Sequence, residues 1–165
     1  MNTKRYANLH ILAACAAVLI SCAGAPPSSS RPTQWDIESR QRIYMAHLRE
    51  EGYAPRIDED GDIAFRWEGL DCYIIMVESD PSLMYVLLPS IWTLESDAER
   101  IRAANAISVA NRRTKVAKAY VSGRENNFVS ISTELFLEDP NHFKVIFWRM
   151  MGAISTAAGH FVDNM

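Results

Sequence analysis

The middle of the chain is built from short runs of strand-forming residues, separated by very short turns, and in the run Asp62–Trp67 the large apolar residues fall at every second position. The runs are Tyr53–Ile57, Asp62–Trp67, Leu70–Glu78 and Leu83–Leu88. A period of two residues is typical of β-strands, and connections this short can join only antiparallel neighbours. The Asp60-Gly61 pair is a strong hairpin signal. This segment therefore predicts four consecutive antiparallel strands.

Helical spacing precedes, interrupts and follows these strands. Helices are predicted at about residues 34–51, 94–112 and 139–161, and two further strands at 116–121 and 128–136. Thr33 is the expected cap of the first helix, and Ser96 with Glu99 forms a capping box for the second. The order helix, four strands, helix, two strands, helix predicts an α+β fold: one antiparallel sheet of five to six strands with helices packed against it.

The first 21 residues have the pattern of an export signal. Lys4 and Arg5 precede the apolar run Ile11–Ile20. As a helix, that run would span about 15 Å, which is too short for a bilayer core of roughly 30 Å. Leu19-Ile20-Ser21-Cys22 resembles a bacterial lipobox, in which diacylglycerol is joined to the cysteine sulfur. We therefore expect residues 1–21 to be removed and Cys22 to become a lipidated first residue; a signal peptide with a chance cysteine is the alternative.

The residues after Cys22 complete the expected domain organisation. Residues 22–33 are rich in Pro and Ser and predict a flexible tether. Residues 34–165 have the length of one domain. Ala23 after the cysteine, by resemblance to Gram-negative lipoproteins, favours the outer membrane, with the domain facing the periplasm.

Charge and cysteine content limit the partners and the chemistry. Of 17 basic residues, Lys4 and Arg5 are lost with the signal, which leaves 15 basic against 20 acidic residues. This acidic balance argues against nucleic acid as a partner. Cys72 is the remaining free cysteine of the mature chain, and its apolar neighbours predict burial.

The segment from Glu51 to Gly69, EGYAPRIDEDGDIAFRWEG, follows a predicted helix. It resembles bacterial YbjN-type domains, also described as candidate sensory transduction regulators, whose fold is like that of type III secretion chaperones. Asn111 at the end of the middle helix and the turn Leu137–Pro140 fit the same pattern. The resemblance covers residues 34–163 and implies protein binding, with dimers common among the chaperones. Those chaperones are cytoplasmic, so their function is not transferred to a chain expected outside the cytoplasm.

The reactive side chains do not form a recognisable site. The Asp58–Asp62 segment has acids at alternate positions, but Gly61 stands between the second and third Asp, whereas a calcium loop places it after the third. A hairpin turn is therefore expected. The histidines that follow the signal lack metal-site spacing: His47, His142 and His160. We predict no catalytic residue, no metal and no cofactor.

The central strands are apolar on both faces, which is unusual for a sheet with helices on one side. The second face is covered either by the middle helix or a crossing segment, or it is exposed for a partner. The candidate partner-binding residues are Tyr73, Ile75, Val77, Met84, Val86 and, at the rim, Trp92.

These observations favour a lipid-anchored, non-enzymatic binding module that holds a protein partner or a second copy through a sheet face. The alternative is an envelope sensor with a small-ligand pocket between sheet and helices, near Trp67, Trp92 and Trp148. An unrecognised hydrolase is a third possibility.

Overall fold

The computed structural model describes residues 35–165. The predicted signal peptide, Cys22 and the predicted tether lie outside the described residues, so those expectations stay predictions. None of the helices within residues 35–165 combines the length and apolarity needed to cross a membrane.

Three helices and six strands follow one another in the predicted order α-ββββ-α-ββ-α. They are α1 (Ile37–Glu50), β1 (Arg56–Ile57), β2 (Ile63–Trp67), β3 (Leu70–Met76), β4 (Leu83–Thr93), α2 (Asp97–Arg113), β5 (Ala117–Ser122), β6 (Phe128–Phe136) and α3 (Phe143–Val162). All strand pairs are antiparallel, and the sheet order is β1-β2-β3-β4-β6-β5. The predicted α+β class with a single antiparallel sheet is confirmed.

The helices share one side of the sheet. α3 packs on β4, β5 and β6, α2 packs on β5 and α3, and α1 packs on the first part of α3. Between the layers lies one hydrophobic core, in which the Tyr44 and Phe143 rings are 4.7 Å apart. Cys72 is part of this core, as predicted.

Several element ends differ from the sequence prediction. The cap of α1 is Asp36 rather than Thr33, because the Asp36 carboxylate accepts a hydrogen bond from the Ser39 amide at 2.8 Å. α3 is preceded by a 3₁₀ turn at Pro140–His142, which Asp139 caps.

Two strands, β1 and β4, also differ from the sequence prediction. β1 has only two residues, because Tyr53 packs its ring against Phe65 instead of joining the sheet. β4 runs past the predicted end at Leu88. A bulge between Leu88 and Trp92 absorbs Pro89, which has no amide hydrogen to donate.

Two polar side chains hold the outer parts of this fold. The buried Arg40 guanidinium donates to the Leu137 carbonyl at 2.7 Å and the Glu138 carbonyl at 3.1 Å, which ties α1 to the end of β6. Asn111 accepts from the Ala119 amide at 2.7 Å and donates to the Ala119 carbonyl at 3.0 Å. It thereby occupies hydrogen-bonding groups on the free edge of β5.

Candidate partner-binding face

The side of the sheet opposite the helices carries large apolar side chains on β3, β4 and the end of β6. In the β3–β4 register Tyr73 lies opposite Leu87 and Ile75 lies opposite Tyr85, and directly opposite residues share a face. Phe136 lies opposite Leu83 and is 70% exposed. We call this surface the open face and define it by Tyr73, Ile75, Leu83, Tyr85, Leu87, Tyr120 and Phe136.

Two tyrosines join the strands on this side. The hydroxyl oxygens of Tyr85 on β4 and Tyr120 on β5 are 3.0 Å apart, and Ser132 on the intervening β6 is fully buried. Burial, together with the hydrogen bond to Tyr85, raises the pKa of Tyr120, so its phenol stays neutral at physiological pH. Beside them Lys118 Nζ and Glu134 Oε1 form an ion pair at 2.6 Å.

The chemistry of the open face is that of a binding surface. It offers aromatic and aliphatic area, the neutral phenol of Tyr120 and the ion pair between Lys118 and Glu134, whose charges already balance each other. Apolar area that stays partly accessible on a folded domain, with the exposed Phe136 at its end, is suited to contact another molecule. Aromatic side chains, tyrosine above all, are enriched in protein interfaces.

The predicted candidates divide between the two sides of the sheet. Tyr73, Ile75 and Val77 are half-buried residues of β3 and its end, and Tyr73 and Ile75 form part of the open face. Their role in binding stays a prediction.

Met84 and Val86 were wrongly placed with this group. They are 2% and 1% exposed, because they pair with Met76 and Ile74 on the helix side. β4 is apolar at every position from Leu83 to Leu88, so its composition does not show which alternate residues face the helices. The observed register pairs residues of equal parity, such as Met76 with Met84, and so places Tyr85 and Leu87 on the same face as Tyr73 and Ile75.

The placement of Trp92 at the rim is also wrong. Its ring packs against Phe161 of α3, with the centroids 6.0 Å apart, and its indole nitrogen donates to Glu99 Oε1 at 3.0 Å. The bulge in β4 sets the local register, so that Trp92 lies opposite the buried Val129. The indole thus joins β4 to α2 and α3 on the helix side.

The expectation that the middle helix covers the second face is overturned for the described part of the chain. α2 buries Ala103, Ala106 and Ala110 and packs on β5 and α3, beside the other helices.

The three tryptophans of the alternative pocket do not converge. Trp67 and Trp148 are neighbours, with centroids 5.7 Å apart, and the Trp67 indole donates to Ser155 Oγ at 3.1 Å. Trp92 instead contacts Phe161, which lies about 20 Å further along α3 than Trp148. A single cavity lined by all three is therefore inconsistent with their positions.

The acidic turn uses its carboxylates internally. Asp58 Oδ1 accepts from the Asp60 amide at 3.1 Å and the Asp62 amide at 2.9 Å, and Asp62 Oδ1 accepts from the Met76 amide at 2.7 Å. Burial raises the pKa of Asp62. Within residues 35–165, no group of three or more potential ligands is arranged to hold a metal ion.

Comparison with known proteins identifies the fold but not a close relative. No family model and no curated protein sequence matches this chain. Among solved structures, YbjN from E. coli, described as a candidate transcription regulator, matches with a TM-score of 0.57 at 12% sequence identity. The match covers 74% of this chain and 89% of YbjN. At that identity the likeness establishes architecture alone, and the domain described here has a YbjN-like α+β fold.

Proposed function

We propose that this chain is a lipid-anchored protein of the bacterial envelope whose folded domain binds a protein partner, without catalysis, through the open face. The observation that carries the proposal is the row of half-buried apolar side chains, ending at the exposed Phe136, on a sheet whose described helices pack on the other side. The candidate regulator YbjN has the same architecture, which supports a binding role rather than an enzymatic one.

The location part of the proposal depends on the lipobox-like sequence before Cys22. Acyl chains on that cysteine would hold the protein at the membrane durably, since each buried methylene contributes about 0.8 kcal/mol. The outer membrane, with the domain in the periplasm, is the proposed site.

Metabolic labelling with palmitate tests the anchor. The wild-type chain is expected to incorporate label, and Cys22→Ser is expected to lose it. Cys15→Ser, within the same predicted signal, is the matched control and should keep the label. Equal labelling of wild type and Cys22→Ser would refute lipidation at this position.

Chemical crosslinking in cells tests the binding face. Ile75→Asp and Phe136→Asp place a charge on the open face and are expected to abolish the crosslinked adduct. Val145→Asp is the matched control, because Val145 is 72% exposed on the outer side of α3. An adduct that persists in folded Ile75→Asp and Phe136→Asp would count against the open face. The mass of the adduct distinguishes a second copy from another protein.

A further inference from the structure

We propose that the corner where α2 meets β5 rests on the anionic surface of a lipid bilayer. This basic corner consists of Arg112, Arg113, Lys115 and Val116, together with Phe136 at the neighbouring end of β6. The inference deepens the proposed function and rests on its membrane location, because it names the part of the domain that faces the lipid.

The charges of the basic corner are available to an anionic surface. Arg112, Arg113 and Lys115 are exposed, and none takes part in an ion pair among the described residues. The two arginines lie in the last turn of α2, where a cation also interacts favourably with the negative end of the helix dipole. Lys115 lies beyond that turn, so this interaction does not account for its charge. The nearby Glu134 carboxylate is engaged by Lys118 at 2.6 Å.

Apolar side chains project from the same place. Val116 is 67% exposed and has a φ of 62°, a left-handed conformation that is unfavourable for a β-branched residue. Ala117 pairs with Thr133, so Val116 and the 70% exposed Phe136 lie at the same end of β5 and β6. A strained backbone that displays an apolar side chain among cations is suited to the bilayer interface, where both are favourable.

Two acidic turns lie at the same end of the sheet but at a distance from β5, so the proposed contact with lipid is limited to the basic corner. The Asp58–Asp62 turn precedes β2, which is four strands away from β5 and therefore about 19 Å distant. Glu78 and Asp80 lie between β3 and β4, about 10 Å or more from β5. The Debye length at physiological salt is about 8 Å, so these turns are largely screened from the corner. Glu138 and Asp139, which follow Phe136, are nearer, and the Asp139 carboxylate accepts from the Asn141 amide at 2.9 Å. The three cations of the basic corner outnumber these two acids, so its net charge is positive.

The chain also enters the domain at this end. Arg40 Nε donates to the Trp35 carbonyl at 3.4 Å, and the same guanidinium donates to the carbonyl of Leu137, next to Phe136. A membrane attachment through residues before Trp35 would therefore hold the domain by the end of the sheet that carries the basic corner.

Vesicle flotation tests this inference with residues 32–165, which contain the whole described core and lack Cys22. The domain is expected to float at low salt with vesicles containing phosphatidylglycerol but not with pure phosphatidylcholine. Each cation near an anionic surface strengthens binding by about fivefold. Arg112→Glu/Lys115→Glu should therefore weaken flotation at least tenfold. Arg124→Glu, in the β5–β6 turn at the opposite end, is the matched control and should bind like wild type.

A second variant separates the apolar contact from folding. Val116→Gly relieves the left-handed strain, so it should fold as judged by circular dichroism, yet it should bind the anionic vesicles less than wild type. The inference is overturned if wild type does not float, or if Arg112→Glu/Lys115→Glu floats as well as Arg124→Glu. Because the domain lacks Cys22, either failure is distinguishable from a failure of the anchor, which palmitate labelling reports.

Discussion

Arg40 is a buried cation that is satisfied by neutral oxygens. Besides the Leu137 and Glu138 carbonyls, its guanidinium reaches the Tyr44 hydroxyl at 3.2 Å and the Trp35 carbonyl. The guanidinium spreads five donors over a rigid planar fork, whereas the three donors of a lysine ammonium lie on a single nitrogen and cannot reach acceptors that are this far apart. Arg40 therefore fixes α1 against the end of β6 by geometry, without a carboxylate partner among these contacts.

Replacing Arg40 should destabilise the domain strongly. Arg40→Lys and Arg40→Met leave buried carbonyl groups without donors, so each is expected to lower the free energy of unfolding by about 2–4 kcal/mol. Urea denaturation measures the change, and Arg42→Met, at an exposed position of the same helix, is the control. A domain with Arg40→Lys that is as stable as wild type would show that the fork is not required.

The buried thiol of Cys72 is expected to make the stability of the domain fall at alkaline pH. Burial raises the pKa of its thiol from 9.0 to about 12. Because the native pKa lies above that of the unfolded chain, the contribution is fully present below about pH 9. It is lost as the pH rises towards about 12.

The corresponding test compares wild type with Cys72→Val. The unfolding free energy of wild type is expected to fall more steeply between pH 9 and 12, whereas Cys72→Val lacks this part of the loss. Both chains contain the same tyrosines, and the one whose pKa is raised by burial and also by the charge of the Cys72 thiolate is Tyr53. Parallel stability curves over this range would contradict the assignment.

At the scale of the elements, Asn111 has a structural role that its position at the end of α2 only suggested. Its side-chain amide forms both hydrogen bonds of a strand residue with Ala119, on the outer edge of the sheet. Free strand edges can pair with other chains, and this amide blocks the edge at one point. The same contact fixes the position of α2 relative to β5.

Asn111→Ala is therefore expected to lower the free energy of unfolding by about 1–3 kcal/mol, because two hydrogen bonds to one buried residue are lost. It should also increase aggregation during unfolding, which light scattering detects. Asn105→Ala, at another exposed position of the same helix that lacks such a contact with β5, is the matched control and should change stability by less than about 0.5 kcal/mol. Identical behaviour of the two variants would exclude the proposed protection of the edge.

At the scale of the whole molecule, the arrangement of layers decides which apolar residues are core and which are surface. The neighbours Val86 and Leu87 show this clearly, since both are aliphatic and both lie in the centre of β4. Val86 is buried against the helices, whereas Leu87 is part of the open face, opposite Tyr73. Composition alone treats them alike.

This assignment predicts opposite outcomes for two adjacent substitutions. Val86→Asp buries an unpaired carboxylate and should prevent folding or cost more than about 4 kcal/mol. Leu87→Asp should leave a folded domain, with a loss below about 2 kcal/mol. Circular dichroism and urea denaturation distinguish the two, and similar losses for both would contradict the open face.

The sequence by itself determined the order of elements, the antiparallel pairing of β1 to β4, the helix cap at Ser96, and the burial of Cys72. These features follow from local signals such as period, turn length and capping chemistry, which act over a few residues. Only the tertiary structure decided which side of β4 faces the helices, where Trp92 packs, and that α2 joins α3 instead of covering the second face. In a strand that is apolar at every position, the sequence does not indicate which alternate residues face the helices. The packing of helices that are distant in the sequence therefore decides it.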